Sequence, residues 1–380
     1  MSSHANPDIV TDGLAFIYDT GSGKSYKGEP TVNLAGSIVK NFSSWNGLTG
    51  STEYYTTSTG GQGVKLITTA SGGVQWYSFS TIYNIQASTQ YTISATVKYI
   101  GGTPHPNLLY VRQYDANGQT SESGKFTTAN ERDLGGGWKR IWRTFTTDAT
   151  TTHINLQGYE YTTGKTIHIQ DLQFEQKGHA TQFVNGTRST TQGLLDLTKN
   201  ETITLSNMSY DSNAQMSLDG TDDQFQISDP GVGTSFSIEV VIKVNSYSNG
   251  PIFVSPSSVG IDHFFRVLNN GKFSANFVEV PDTANDGYTS TTVINTGEYY
   301  HVVISKTPSN GTIYVNGVAE DSHTPTLPAA AWTGAWRIGA RWNNTYNLNG
   351  EIPILKVYNK ALTAAEVLQS YNATKDRFIR

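Results

Sequence analysis

The 380-residue chain carries 26 Lys+Arg against 31 Asp+Glu, a net charge of −5, and no cysteine. Only 15% of it is charged, against roughly 25% in an ordinary globular domain, so threonine, serine, asparagine and glycine must keep its surface wet. These figures exclude disulfides and, with no basic run anywhere, argue against a partner bound through nucleic-acid phosphates or an anionic membrane surface.

No apolar run approaches the roughly 20 residues that span a bilayer. Residues 1–8 lack the basic and apolar regions of a secretory signal, so synthesis in a cytosol is expected. At about 150 residues per domain the length suggests two domains. In chain order, residues 91–99 alternate apolar and polar side chains, the pattern of a strand with one buried face. Asn117-Gly118 marks a turn, and Gly135-Gly136-Gly137 reads as a turn before a strand at Trp138. Residues 166–174 alternate again. Residues 186–193 are polar and glycine-containing, which suggests a linker. Asn270-Gly271, Asn310-Gly311 and Asn349-Gly350 read as further turns. Residues 312–320 read as two strands joined by Asn316-Gly317, whose positive φ angles suit a type I′ turn. The one convincing helix follows: Thr363 as N-cap, Glu366 closing a capping box and Leu362 stapling onto Val367, with an end expected near Asn372. One helix against about 25 strand-like runs predicts an all-β protein built of sandwiches.

Several motifs resemble known families. Ser217-Leu218-Asp219-Gly220-Thr221-Asp222-Asp223, residues 235–243, Gly297-Glu298-Tyr299-Tyr300-His301-Val302-Val303, the Asn316-Gly317 hairpin, Trp336-Arg337-Ile338-Gly339 and residues 350–363 together resemble the concanavalin A-like, laminin-G-like jelly rolls. Tyr300 stands where that family usually has Trp. The ending at residues 371–378 resembles such domains in virion structural proteins of tailed bacteriophages. So does the opening at residues 12–19 with Lys24-Ser25-Tyr26-Lys27-Gly28, whose continuation comes only at residues 193–197. Between them, Pro30-Thr31-Val32-Asn33-Leu34, Trp45, residues 91–95, Gly137-Trp138-Lys139-Arg140 and residues 169–175 resemble jelly-roll carbohydrate-binding modules. The resemblance implies two antiparallel β-sandwiches (jelly rolls) and one short C-terminal helix. Residues 8–29 plus 187–376 would form the laminin-G-like sandwich, and residues 30–186 an inserted carbohydrate-binding-module-like one.

Concanavalin A-like folds also host glucanases, which place facing carboxylates about 5 Å apart. Here Glu351 is followed by Pro353, Leu355 and Lys356 where further acids would stand. Asp171 and Glu175, read as sharing a strand face, would lie roughly 13 Å apart. No enzyme is therefore expected. None of the 8 histidines has paired metal-ligand spacing, and His153, His168 and His301 read as hydrogen-bonded face or core residues. No cofactor is called for; calcium is the candidate ion, with Asp219, Asp222 and Asp223 or the Asp282 to Asp286 loop as oxygen donors.

Sugars stack their apolar faces on aromatic rings and offer hydroxyls to polar side chains. On that chemistry the candidate glycan-binding residues are Arg341, Trp342, Asn343 and Tyr346 on one loop, and the alternating Tyr110, Arg112 and Tyr114. Trp76 and Trp138 read as core or inter-domain aromatics. The expectation is a non-enzymatic phage virion structural protein, a capsid, neck or tail decoration, fibre or adhesin component, made in the host cytoplasm. Its expected partners are other virion proteins, further copies of itself, a trimer among the forms considered, and host-surface glycans, with no nucleic acid and no membrane insertion. A free lectin-like protein is the alternative, and a glycoside hydrolase the third reading.

Overall fold

The computed structural model describes residues 8–35, 50–58, 60–68, 75–102, 108–123, 130–160, 164–211, 214–256, 262–277, 287–324, 332, 334–341 and 346–379. Among them the chain is all-β apart from one helix, Ala364–Phe378, and no helix is long and apolar enough to cross a membrane. It folds as two compact units. Met1–Gly28, Thr190–Asp211 and Gln215–Arg380 make the first, and Glu29–Ser189 with Ser212–Ala214 the second.

In the first unit an eight-stranded antiparallel sheet runs in the order Ser209–Tyr210, Met216–Asp219, Asn349–Tyr358, Phe236–Ser246, Tyr299–Lys306, Gly311–Val315 and Val318–His323. The eighth strand, Leu14–Asp19, also pairs with Asn349–Tyr358. A seven-stranded sheet runs Thr204–Ser206, Gln224–Ile227, Trp336–Ile338, Pro251–Pro256, Asp262–Val267, Phe273–Asn276 and Tyr288–Thr289. Period-two patterning decides the layers. Phe236, Ile238, Val240, Ile242 and Val244 enter one core with Phe225, Phe253, Phe265, Phe273 and Trp336 of the other sheet, and each such burial is worth roughly 1.5–3 kcal/mol. The intervening Ser237 and Glu239 face the other way, where Leu362 and Val367 join Val10, Val303 and Tyr358 in a smaller buried cluster.

The Asn316-Gly317 turn has φ of 49° and 81°, both positive as a type I′ turn needs. The capping box of Thr363 and Glu366 is formed. The helix, however, runs six residues past Asn372 to Phe378. Thr374 is buried in it, and Arg377 ends it with a bidentate pair to Asp19 at 2.7 and 2.9 Å. Asn349-Gly350 is no turn. It begins a ten-residue strand, where Gly350 lets the backbones close up, since a Cβ there would sit 2.1 Å from the Lys243 carbonyl.

The second unit pairs a six-stranded sheet with a four-stranded one. The first runs Gly50–Thr56, Gln62–Thr68, Thr166–Glu175, Gln90–Ile100, Trp138–Thr146, Glu131–Gly135; the second runs Gln75–Tyr83, His153–Glu160, Tyr110–Asp115, Gly118–Ser123. Val64, Ala95, Val97, Ile167, Ile169 and Phe174 of one meet Ile82, Val111, Ile154 and Leu156 of the other. The alternation expected through residues 166–174 breaks at Asp171, a bulge with φ of 52° between the pairs of Gln170 and Gln173. Before it Ile167 and Ile169 point inward, after it Leu172 and Phe174, so Asp171 and Glu175 do not share one regular strand face. Residues 186–193 hold more than a linker. Thr187–Arg188 pairs with Thr31–Val32, and buried Arg188 donates to the carbonyls of Glu29, Gln182 and Phe183.

Candidate functional site

In Tyr110–Asp115 the odd positions, Val111 and Gln113, are fully buried, so Tyr110, Arg112 and Tyr114 share the outer face of the four-stranded sheet. Register adds residues from the neighbouring strands. His153 lies directly between Tyr83 and Tyr114, and Asn155 between Thr81 and Arg112. The His153 ring stacks on Tyr114 at 4.9 Å and 13°, and on Tyr83 at 5.5 Å and 27°. Tyr83 is 68% exposed. Three rings across three strands thus form one face-to-face stack, roughly 10 Å along at the ordinary strand spacing, and Tyr83, on the edge strand, ends it with its outer ring face uncovered by the stack.

Polar groups border it. Thr81 donates to Asn155 Oδ1 at 2.7 Å, which leaves the Asn155 amide to donate. Arg112 Nε donates to Glu122 at 3.1 Å. Burial pulls the Arg112 guanidinium down, but Tyr110 and Glu122 hold it above the ordinary arginine value. Tyr110 is not a contact residue: its ring is buried, its hydroxyl donates to Gln157 at 3.0 Å, and Arg112 lies over it at 5.7 Å. It supports the face from beneath. Tyr83, His153 and Asn155 escape a reading of one strand at a time, because only cross-strand register brings them to Tyr114.

Trp342 and Asn343 of the second candidate set lie outside the described residues. Arg341 and Tyr346 are exposed and joined by a backbone hydrogen bond of 3.2 Å. They belong to the first unit, so the two candidate sets do not form one site within a unit. Trp138, expected as a core or inter-domain aromatic, is not in the core: it is half-buried on the outer face of the six-stranded sheet. The side chain of Trp76 lies outside the described residues.

Asp219, Asp222 and Asp223 place carboxylate oxygens within 4.8 Å of one another; Asp282 and Asp286 lie outside the described residues. Much of their capacity goes to the turn itself. Asp219 Oδ1 accepts from Thr221 N–H, Asp223 Oδ2 from Asp219 N–H, both at 2.6 Å, and Asp222 from Asn207 at 2.9 Å. Asp223 Oδ1 is buried with no hydrogen-bond donor, and burial raises its pKa. A hard cation takes such oxygens, so these three residues fit calcium.

Two acidic groups need separate account. Glu351 lines a cavity of about 470 Å³ with Tyr299, Met208, Met216, Asp376 and Phe378. It accepts from the Tyr299 hydroxyl at 2.5 Å and pairs with Lys243, and burial together with Glu351 raises the Tyr299 pKa. Glu239, fully buried beneath the helix, accepts from Lys356 at 2.7 Å, Ser370 at 2.6 Å, His301 at 3.1 Å and Tyr358 at 3.1 Å. Four donors thus converge on one carboxylate, while Lys356 also reaches Ser370 at 2.9 Å and Tyr358 the Val10 carbonyl at 3.3 Å.

No curated protein matches the chain. Among solved structures, a Trypanosoma rangeli sialidase in complex with 2,3-difluorosialic acid is similar at a TM-score of 0.39 and 13% identity, over 48% of this chain and 31% of that one. The chain thus covers about a third of the sialidase. Domain 4 of an extracellular arabinanase from Geobacillus stearothermophilus, in complex with arabinotriose, gives 0.38 and 17% over 48% and 93%. A heptameric pentraxin from Limulus polyphemus gives 0.32 and 17% over 40% and 78%. Residues 219–368, within the first unit, match the family model Laminin_G_3 of the concanavalin A-like lectin/glucanases superfamily.

Proposed function

We propose that the protein is a non-enzymatic glycan-binding protein whose ligand lies on the outer face of the four-stranded sheet. The Tyr83–His153–Tyr114 stack carries this reading. The exposed Tyr83 ring, held upright by the stack, offers its open face to the apolar face of a pyranose, and Asn155 and Arg112 beside it match its hydroxyls. The Arg112 charge is met by Glu122, which favours a neutral saccharide here. Glu351 argues against a glycosidase: held by Lys243 and Tyr299, it has no second acid on its own strand at the retaining distance. Calcium at Asp219, Asp222 and Asp223 would brace the turn in the first unit by supplying positive charge to the three carboxylates.

The finer setting is a tailed-bacteriophage virion, with the glycan on the host surface and with other virion proteins and further copies of the chain as partners. The resemblance at residues 12–28 and 371–378 supports it, and co-sedimentation with particles distinguishes it from a free lectin. The glycan reading is tested by affinity electrophoresis of the full chain in gels containing neutral polysaccharides. Retardation by at least one is expected, weakened about tenfold by Tyr83→Ala with Tyr114→Ala. Unchanged retardation in that double variant, or none by any neutral polysaccharide, overturns it.

A further inference from the structure

The other outer face of the second unit carries a different chemistry. One cross-strand row passes through five strands, each residue directly opposite the next: Glu53, Lys65, His168, Lys98, Trp138. At roughly 4.8 Å per strand it spans about 19 Å. The neighbouring row runs Tyr55, Gly63, Gln170, Thr96, Arg140, Arg132. The Tyr55 ring lies over Gly63, where a Cβ would come within 2.4 Å of it, and its hydroxyl donates to Gln170 at 3.1 Å. His168 thereby sits between two rings, Tyr55 at 6.1 Å and Trp138 at 5.7 Å, and the Lys98 ammonium lies 5.9 Å from the Trp138 ring.

These two rows hold four cations, Lys65, Lys98, Arg132 and Arg140, against the carboxylate of Glu53, with that of Asp171, bonded to Thr57 at 3.2 Å, beside Tyr55 and Arg140. The whole chain is net −5. The positive field therefore belongs to this face and is not a general property of the surface. Burial, and then Lys65 and Lys98, lower the His168 pKa, with Glu53 opposing. Arg140 is committed beneath the face, donating to Ser94 at 2.7 Å and to the Asp171 carbonyl at 2.8 Å. Among the described residues no carboxylate pairs with Lys98, and the Glu53 partner of Lys65 is 62% exposed and replaceable.

We propose that this face binds an acidic polysaccharide, with sugar carboxylates over Lys65 and Lys98 and sugar rings against Tyr55 and Trp138. The inference rests on the second unit being a glycan-binding module and adds a second ligand class on its opposite sheet. Charge spacing selects the polymer. Lys65 and Lys98 stand two strands apart, roughly 10 Å, whereas duplex DNA presents one charge per about 1.7 Å and is met by dense basic runs that this face lacks. A chain with one carboxylate per sugar or per disaccharide has the sparser charge that two lysines can match.

The test is affinity electrophoresis of the full chain against polygalacturonate, its fully methyl-esterified form and single-stranded DNA, at several salt concentrations. Retardation by polygalacturonate alone is expected. Lys65→Gln with Lys98→Gln weakens it about tenfold and flattens its salt dependence, while Tyr83→Ala leaves it unchanged. Equal retardation by the esterified polymer, no retardation by polygalacturonate, equal competition by DNA, or an unaffected lysine variant overturns the proposal. The esterification comparison uses the unaltered chain and so does not depend on a variant folding. Loss of neutral-glycan binding in Tyr83→Ala with the lysine variant unaffected refutes this inference and leaves the proposed function standing; the reverse pattern refutes only the latter.

Discussion

In the first unit, His301 projects from its strand onto the sheet face that the C-terminal helix covers; in the second, His153 projects onto a face that leaves Tyr83 68% exposed. Both are histidines in mid-sheet with an aromatic neighbour, Tyr371 at 5.7 Å for one and Tyr114 at 4.9 Å for the other. Their surroundings set their use. Under the helix these side chains are buried, so Glu239 takes its hydrogen bonds from His301, Lys356, Ser370 and Tyr358, and the group serves to hold cover and sheet together. On the open face the imidazole needs only Thr152, 3.2 Å away, and its ring remains part of a surface. Burial turns a polar side chain into structure, and its absence leaves one at the surface.

Glu239→Ala is the harshest challenge to that contrast. It leaves Lys356 without a counter-charge and His301 without its acceptor, and is expected to cost about 3–5 kcal/mol, read from the denaturant midpoint of the first unit. Burial raises the Glu239 pKa, but the Lys356 charge and the His301 hydrogen bond outweigh it, so the folded pKa lies well below the ordinary 4.5. A depressed carboxylate contributes stability that is fully present above its unfolded pKa and lost as pH falls towards the folded one. The wild type should therefore lose stability on acidification below about pH 4.5, and the variant should lose less. A flat profile in the wild type would break the assignment. Thr363→Ala, removing the N-cap of the covering helix, is expected to cost about 1 kcal/mol, seen as a lower melting temperature. His153→Ala is the mildest: stability should stay within about 0.5 kcal/mol, while neutral-glycan retardation weakens severalfold. A large loss of stability there would mean that the open face is structural too.

The strands were legible because period-two alternation is local, as in residues 91–99, and so was the capped start of the helix. Its end was not. Residues 373–378 have no strong stop signal, and contacts far away in the chain, Asp19 with Arg377 and Tyr299 with Phe378, accompany the extension. The bulge at Asp171 was written in the sequence: the apolar positions shift from Ile167 and Ile169 to Leu172 and Phe174. Asn349-Gly350 has turn chemistry, but its glycine serves a close backbone approach. Of the candidate site, alternation along a single strand shows only Tyr110, Arg112 and Tyr114, and burial then removes Tyr110 from the surface.

The sequence by itself determined an all-β chain, its Asn316-Gly317 hairpin and its capped helix, because each depends on residues within a few positions of one another. Tertiary structure decided that Leu14–Asp19 pairs with Asn349–Tyr358, that His301 is covered, and that Tyr83, His153 and Tyr114 lie in one row. Those outcomes depend on which strands become neighbours and in what register, and register follows from turning every strand's apolar face to the core at once.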